Sequence, residues 1–171
     1  MANAAEKEAL ETGGDSDYAL GGHGLSFKPV VADKLLQHGD SIRLGETALV
    51  LLNHPGHTKG SCSYMLTVSD SARSYKVLIA NMPTIVTDKK FTELTAYPTA
   101  AQDYAYSLKS LQQLQFDIWV ASHASQFSMH DKHKPGDAYN PMAFADRKGF
   151  DAELKELQQA YDNKIKKDDG R

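Results

Sequence analysis

The sequence predicts an α+β fold built on one mostly antiparallel sheet with helices outside it. Three observations carry that prediction. Apolar runs over residues 46–52, 61–68 and 75–80 follow one another at hairpin spacing, divided by turn residues. Two stretches, 100–114 and 150–166, hold apolar residues at three- and four-residue spacing, the mark of a helix with one buried stripe. Between those helices lies a short β run, 116–121, so the order is strands, helix, strand, helix. With 171 residues the chain reads as a single domain, 1–171, long enough to bury a core.

In chain order, residues 1–12 read as a helix. Asn3 is the expected N-cap with Glu6 three residues on, a capping box, and Gly13-Gly14 ends the helix. Residues 15–27 form a polar, Gly-rich loop in which Leu20, Leu25 and Phe27 are spaced as apolar anchors; His23, between two glycines, reads as exposed. Short strands are expected at 27–31 and 40–44, with a turn at 37–40. The run at 46–52 leads into Asn53-His54-Pro55-Gly56-His57-Thr58-Lys59-Gly60-Ser61, where Pro-Gly forces a turn. Residues 69–73 turn the chain between the strands at 61–68 and 75–80. Pro83 and Pro98 punctuate a mixed segment over 81–97. The first helix stripe is Tyr104, Leu108, Leu111 and Leu114. The 116–121 strand contains Trp119 and delivers Ser122-His123. Residues 125–139 read as a long polar loop, and Leu154, Leu157, Tyr161 and Ile165 form the stripe of the last helix.

Composition narrows the function. The formal net charge is −3, which gives no electrostatic case for nucleic acid. Lys164, Lys166 and Lys167 read as a solvated helix end. A single cysteine, Cys62, excludes an internal disulfide and Cys-rich zinc modules, and its apolar surroundings suggest a small buried hydrophobe. No apolar run is long enough to span a membrane, and no signal peptide is visible. There is no Gly-x-Ser-x-Gly elbow and no Gly-rich phosphate loop.

Two histidines remain as candidates for chemistry. His57, on a Gly-held turn just past a strand, and His123, at a strand's end, sit on rigid mounts of the kind on which metal ligands are commonly presented. For His57 alone, an ordinary loop histidine is an equal reading. His54 is too close in the turn to share a metal with His57 and is expected at the surface. His130 and His133 lie in a charged loop.

The string Pro-Gly-His-Thr-x-Gly-Ser resembles the third zinc-ligand motif of the metallo-β-lactamase fold. Gly13-Gly14-Asp15-Ser16-Asp17-Tyr18, Ile79-Ala80-Asn81-Met82-Pro83, Tyr97-Pro98 with Asp103-Tyr104, and Ala121-Ser122-His123-Ala124-Ser125-Gln126-Phe127 are similar to subclass B3 of that family. The resemblance covers about residues 4–167, and Met82 is shared with its GOB-type branch. The family's His-x-His-x-Asp-His string, which supplies four of six zinc ligands, occurs nowhere in the sequence. The resemblance therefore implies the C-terminal half of an αββα sandwich, with Met1 at an internal position of a longer parent. A mis-called start, an expression boundary or proteolysis would each give this beginning.

What the resemblance implies for the site follows residue by residue. His57 matches the third ligand of the first zinc and His123 the third ligand of the second. Met82 stands where most B3 enzymes have a serine near the second zinc; a core methionine is the other reading. Thr84 matches a hydroxyl position that contacts the substrate carboxylate. Leu20 and Leu25 line a substrate groove or are plain surface anchors. Asn81, Ser122 and Ser125 are expected to orient ligands from behind. The implied activity is zinc-dependent hydrolysis of the β-lactam amide, with a hydroxide held by the metal as nucleophile. The implied setting is periplasmic or secreted, the partner a β-lactam antibiotic. With two of six ligands, this chain alone is expected to be nearly inactive. Two alternatives stay open: a hydrolase of another ester, lactone or thioester, and a non-catalytic half-domain. A sheet face without its partner sheet is expected to be apolar and to favour a homodimer or aggregation.

Overall fold

The computed structural model describes residues 1–170. Five strands form one sheet in the order β3-β4-β5-β6-β7: β3 (Ser41–Leu44), β4 (Thr47–Asn53), β5 (Cys62–Ser69), β6 (Ser74–Ala80) and β7 (Ile118–Ala121). The first four pair antiparallel as a meander. β7 lies parallel to β6, reached through α2 (Ala100–Gln113), since parallel neighbours need a crossover of a dozen or more residues. The α+β architecture is the expected one, and the sheet strands begin and end within two residues of the apolar runs.

Alternate ladder rows face opposite sides. The row Val50, Met65, Leu78, Trp119 looks toward the helices. There Leu78, Ala80 and Trp119 pack with Leu108 and Leu111 of α2 and with Phe150 and Leu154 of α4 (Arg147–Asp168). Trp119 stands edge-on to Phe150 at 5.1 Å, and its Nε1–H donates to Asp146 O, the N-cap of α4. The row Leu51, Tyr64, Ile79, Val120 looks the other way, as do Leu66, Val77 and Ile118. Those residues are mostly apolar; Leu51 and Ile118 are buried and the others half-buried, although apart from Val120 none belongs to either core cluster. Leu44, at the sheet's outer strand, is 85% exposed.

Four local expectations are corrected. Residues 1–12 are not one helix. Ala2–Asn3 is a two-residue strand, β1, parallel to β2 (Leu35–Leu36); a 3₁₀ turn, Ala4–Glu6, and a short α1, Lys7–Glu11, follow. Asn3 does cap, accepting from Ala5 N, but Glu6 does not close a capping box, because its carboxylate is drawn to donors fifty residues away. Residues 27–31 are extended without being a sheet strand: Phe27 N donates to Gly13 O and Val30 N to Leu10 O, so the segment is spent on α1 and its end. The glycines there are needed, since a Cβ on Gly13 would sit 2.2 Å from Phe27 O. Finally, 125–139 is no plain loop. It contains the 3₁₀ turn Ala124–Phe127 and α3 (Met129–Lys132), divided by Ser128 in the left-handed region. Among the described residues no helix is long and apolar enough to cross a membrane.

Candidate metal half-site at the sheet edge

Strand direction decides which loops meet. β5 runs against β4, β6 against β5, and β7 alongside β6, so β4, β6 and β7 all end at one edge of the sheet. The register agrees: Asn53 pairs with Cys62, and Ala80 with Ala121, at that edge. The segments that leave there carry His54 to Gly60, Asn81 to Thr84, and Ser122 to Gln126. The ends of β4 and β7 are three strand spacings apart, about 14 Å. His57 and His123 therefore sit on the same rim, as loops from one edge.

His57 is half-buried, and its Nδ1 lies 2.9 Å from Thr84 O and 3.1 Å from Thr84 Oγ1. A carbonyl only accepts, so Nδ1 carries the proton and Nε2 is left with a free lone pair. Metal-ligating histidines are oriented in this way, by a backbone carbonyl on the other nitrogen. Thr84 O also accepts from Tyr104 OH at 3.0 Å. Tyr18 OH donates to Gly56 O at 3.1 Å, and Tyr97 OH reaches Thr58 O at 3.4 Å. Burial pushes all three phenols up, so they stay protonated donors. Gly56 must be glycine: its φ is 133°, and a Cβ there would meet the Tyr104 ring at 2.9 Å.

The turn is also gripped from the N-terminal segment. Glu6 Oε1 accepts from Gly60 N at 2.8 Å and from Thr58 Oγ1. Asn3 Nδ2 donates to Gly60 O and to Asn53 Oδ1, both at 2.9 Å. A Cβ on Gly60 would lie 2.6 Å from Glu6 Cγ, so only glycine admits that segment.

The remaining expected residues fall out as follows. Asn81 Nδ2 donates to His54 O, bracing the turn from β6. Thr84 spends its hydroxyl on His57. Met82 is 3% exposed and packs inside the main core. Leu20 and Leu25 are 46% and 67% exposed on the loop that Tyr18 ties to Gly56. His123 is exposed, its backbone N–H held by Gln126 Oε1. Ser122 and Ser125 are exposed too. Cys62 is half-buried rather than sealed, its thiol pushed up by burial.

His54 is the clear correction. It is 0% exposed, not at the surface. Its Nδ1 is 2.7 Å from Ser63 Oγ and its Nε2 3.1 Å from Ser110 Oγ. Burial, with His38 as a lesser charge effect, pushes its pKa down to about 4. Composition gave no hint of this, because the two serines come from β5 and α2, far along the chain.

Does the donor set suit zinc? His57 fits a ligand's local arrangement. Yet among the described residues no group of three or more His, Cys, Asp or Glu side chains could hold a metal ion, and a catalytic zinc takes three protein ligands. The rim supplies parts of a site, not a whole one.

No family sequence model matches the chain. Solved structures do. The class B3 di-zinc metallo-β-lactamase LRA-12 from an Alaskan soil metagenome is 59% identical with a TM-score of 0.92, matching 95% of this chain and 62% of its own length. The metallo-β-lactamase GOB-18 from Elizabethkingia meningoseptica is 53% identical with a TM-score of 0.94, over 97% of this chain and 62% of its own. A β-lactamase from Chitinophaga pinensis is 51% identical with a TM-score of 0.94, over 97% and 63%. The chain thus spans somewhat less than two thirds of the length of the proteins it matches.

Proposed function

Since the chain belongs with the class B3 metallo-β-lactamases, which are hydrolases, we propose that it is part of a protein that opens the β-lactam amide with zinc. The fixed tautomer of His57, with Nδ1–H on the Thr84 carbonyl and Nε2 free, is the observation that carries this reading. His57 and His123 would each give one nitrogen to a metal. Zinc, when bound, supplies a Lewis acid and acidifies water enough for attack near neutral pH. The chain's own residues do the positioning. Thr84 and Tyr104 hold the His57 ring, Glu6 and Asn3 hold its turn, and Tyr18 keeps the 15–27 loop beside it. Leu20 and Leu25 on that loop are offered to the apolar substituents of a β-lactam antibiotic.

The chain supplies two of the donors such a site needs, so it is nearly inactive by itself. The remaining ligands belong to a His-x-His-x-Asp-His segment of the whole protein, which works in the periplasm or outside the cell. The test is hydrolysis of nitrocefin by the whole protein encoded around this segment. Turnover that a chelator removes, zinc restores and His57→Ala abolishes supports the reading. Turnover that survives His57→Ala, or hydrolysis of lactones without lactams, overturns it.

A further inference from the structure

His54 does more than fill space beneath the rim. Both of its ring nitrogens are engaged by hydroxyls from separate elements, Ser63 on β5 and Ser110 on α2. Each hydroxyl can donate or accept, so a neutral imidazole is satisfied in either tautomer. Ser63 Oγ accepts as well from Asn81 N at 2.8 Å, and Asn81 Nδ2 donates to His54 O at 3.1 Å. One helical turn before Ser110, Ser107 Oγ donates to Pro55 O at 2.6 Å. The His54 main chain closes the turn on itself, with His54 N donating to Ser61 O. Through its ring, its main chain and the shared Ser63 hydroxyl, His54 thus joins four pieces: the turn after β4, strand β5, helix α2 and the segment that leaves β6.

Two of those pieces decide the state of His57. The turn carries its backbone, three residues on from His54. The segment after β6, anchored by Asn81 on Ser63, carries the Thr84 carbonyl that takes its Nδ1–H. We propose that His54 is a positioning residue for His57: by holding the Ser63 hydroxyl that anchors the 81–84 segment, and the turn itself, on one buried residue, it fixes the His57 tautomer and keeps Nε2 as the free nitrogen. The use of that nitrogen for a divalent metal rests on the proposed function; the fixing of the ring does not.

The experiment is nitrogen NMR on the isotopically labelled 171-residue chain, above the imidazole titration range. The unsubstituted chain should show His57 as one Nδ1–H tautomer with a slowly exchanging ring proton. His54→Leu removes both hydroxyl contacts at similar volume. It should bring the two His57 nitrogen shifts together and speed exchange of the Nδ1 proton on the order of tenfold. His54→Asn, whose amide overlies the Nδ1 side and retains a partner in Ser63, should keep most of the unsubstituted behaviour. Ser110→Ala, a mild change on the helix side, should give a partial loss with the circular dichroism unchanged. It decides the matter if His54→Leu does not fold. A His57 signal in Ser110→Ala, and in folded His54→Leu, that matches the unsubstituted chain in shift and exchange would overturn the proposal. Added zinc is a separate arm: a silent His57 Nε2 counts against the metal reading and leaves the positioning result standing.

Discussion

At the scale of single residues, the buried histidine makes a prediction that can be read from stability alone. The folded chain holds His54 at a pKa of about 4, against 6.5 for a free imidazole. Below about pH 6.5 the unfolded chain takes up a proton at this ring that the folded chain refuses. Stability from this group is therefore whole above that pH, falls as the solution is acidified, and is gone below about pH 4. The difference is about 3 kcal/mol. Urea titrations at near-neutral and mildly acidic pH should show the loss, and His54→Leu should flatten that part of the profile. An unchanged slope in the variant would contradict the assignment. The same residue shows where reading in one dimension stops. A Pro-Gly pair announces a turn, and a turn histidine is expected in water. That its ring folds back to meet hydroxyls 9 and 56 residues away is decided by packing that no local pattern encodes. His57 was legible because its neighbours form a motif. Its carbonyl partner, Thr84, was legible only as a hydroxyl.

At the scale of elements, periodicity did most of the work. The β4, β5 and β6 runs and the α2 and α4 stripes were visible because each buries one face and keeps one period. Misreadings fell where tertiary partners replaced local ones. Glu6 left its capping box for Gly60, and residues 27–31 paired with the end of α1 in place of a sheet neighbour. The last turn of α4 is a further case. Lys164, expected at a solvated helix end, pairs with Asp168 at 2.5 Å, the two side chains only 9% and 8% exposed. Asp168 Oδ2 accepts from Phe91 N, and Lys164 donates to Lys89 O. Burial raises the Asp168 pKa, but Lys164 and the Phe91 amide outweigh it and hold the carboxyl below its usual value. Removing one member of such a pair leaves a poorly compensated charge. Asp168→Asn should cost about 3 kcal/mol in urea unfolding and free the helix end to proteolysis. A cost under about 1 kcal/mol would place the pair with ordinary surface bridges.

At the scale of the molecule, the sheet has one face clothed by α2 and α4 and a second, mostly apolar face that is only partly covered: Leu51 and Ile118 are buried, while Tyr64, Leu66, Val77, Ile79 and Val120 are half-buried. Leu66, Val77 and Ile118 form one of its rows. Contiguous apolar surface of this kind drives association in water. The isolated chain should sediment as dimers or larger species at micromolar concentration, and a lysine at Leu66 should shift it toward monomer. A sharp, concentration-independent monomer would show that face to be self-sufficient. The rim, with no group of three metal donors among the described residues, is the chemical counterpart of that half-buried face. Both agree with a chain that spans about 62% of the proteins it matches. The most direct measurement is nitrocefin turnover by the 171-residue chain with zinc in excess. A rate indistinguishable from zinc alone is expected. Turnover above that blank, lost in His57→Ala, would mean that the two histidines and the residues around them suffice for a working metal site.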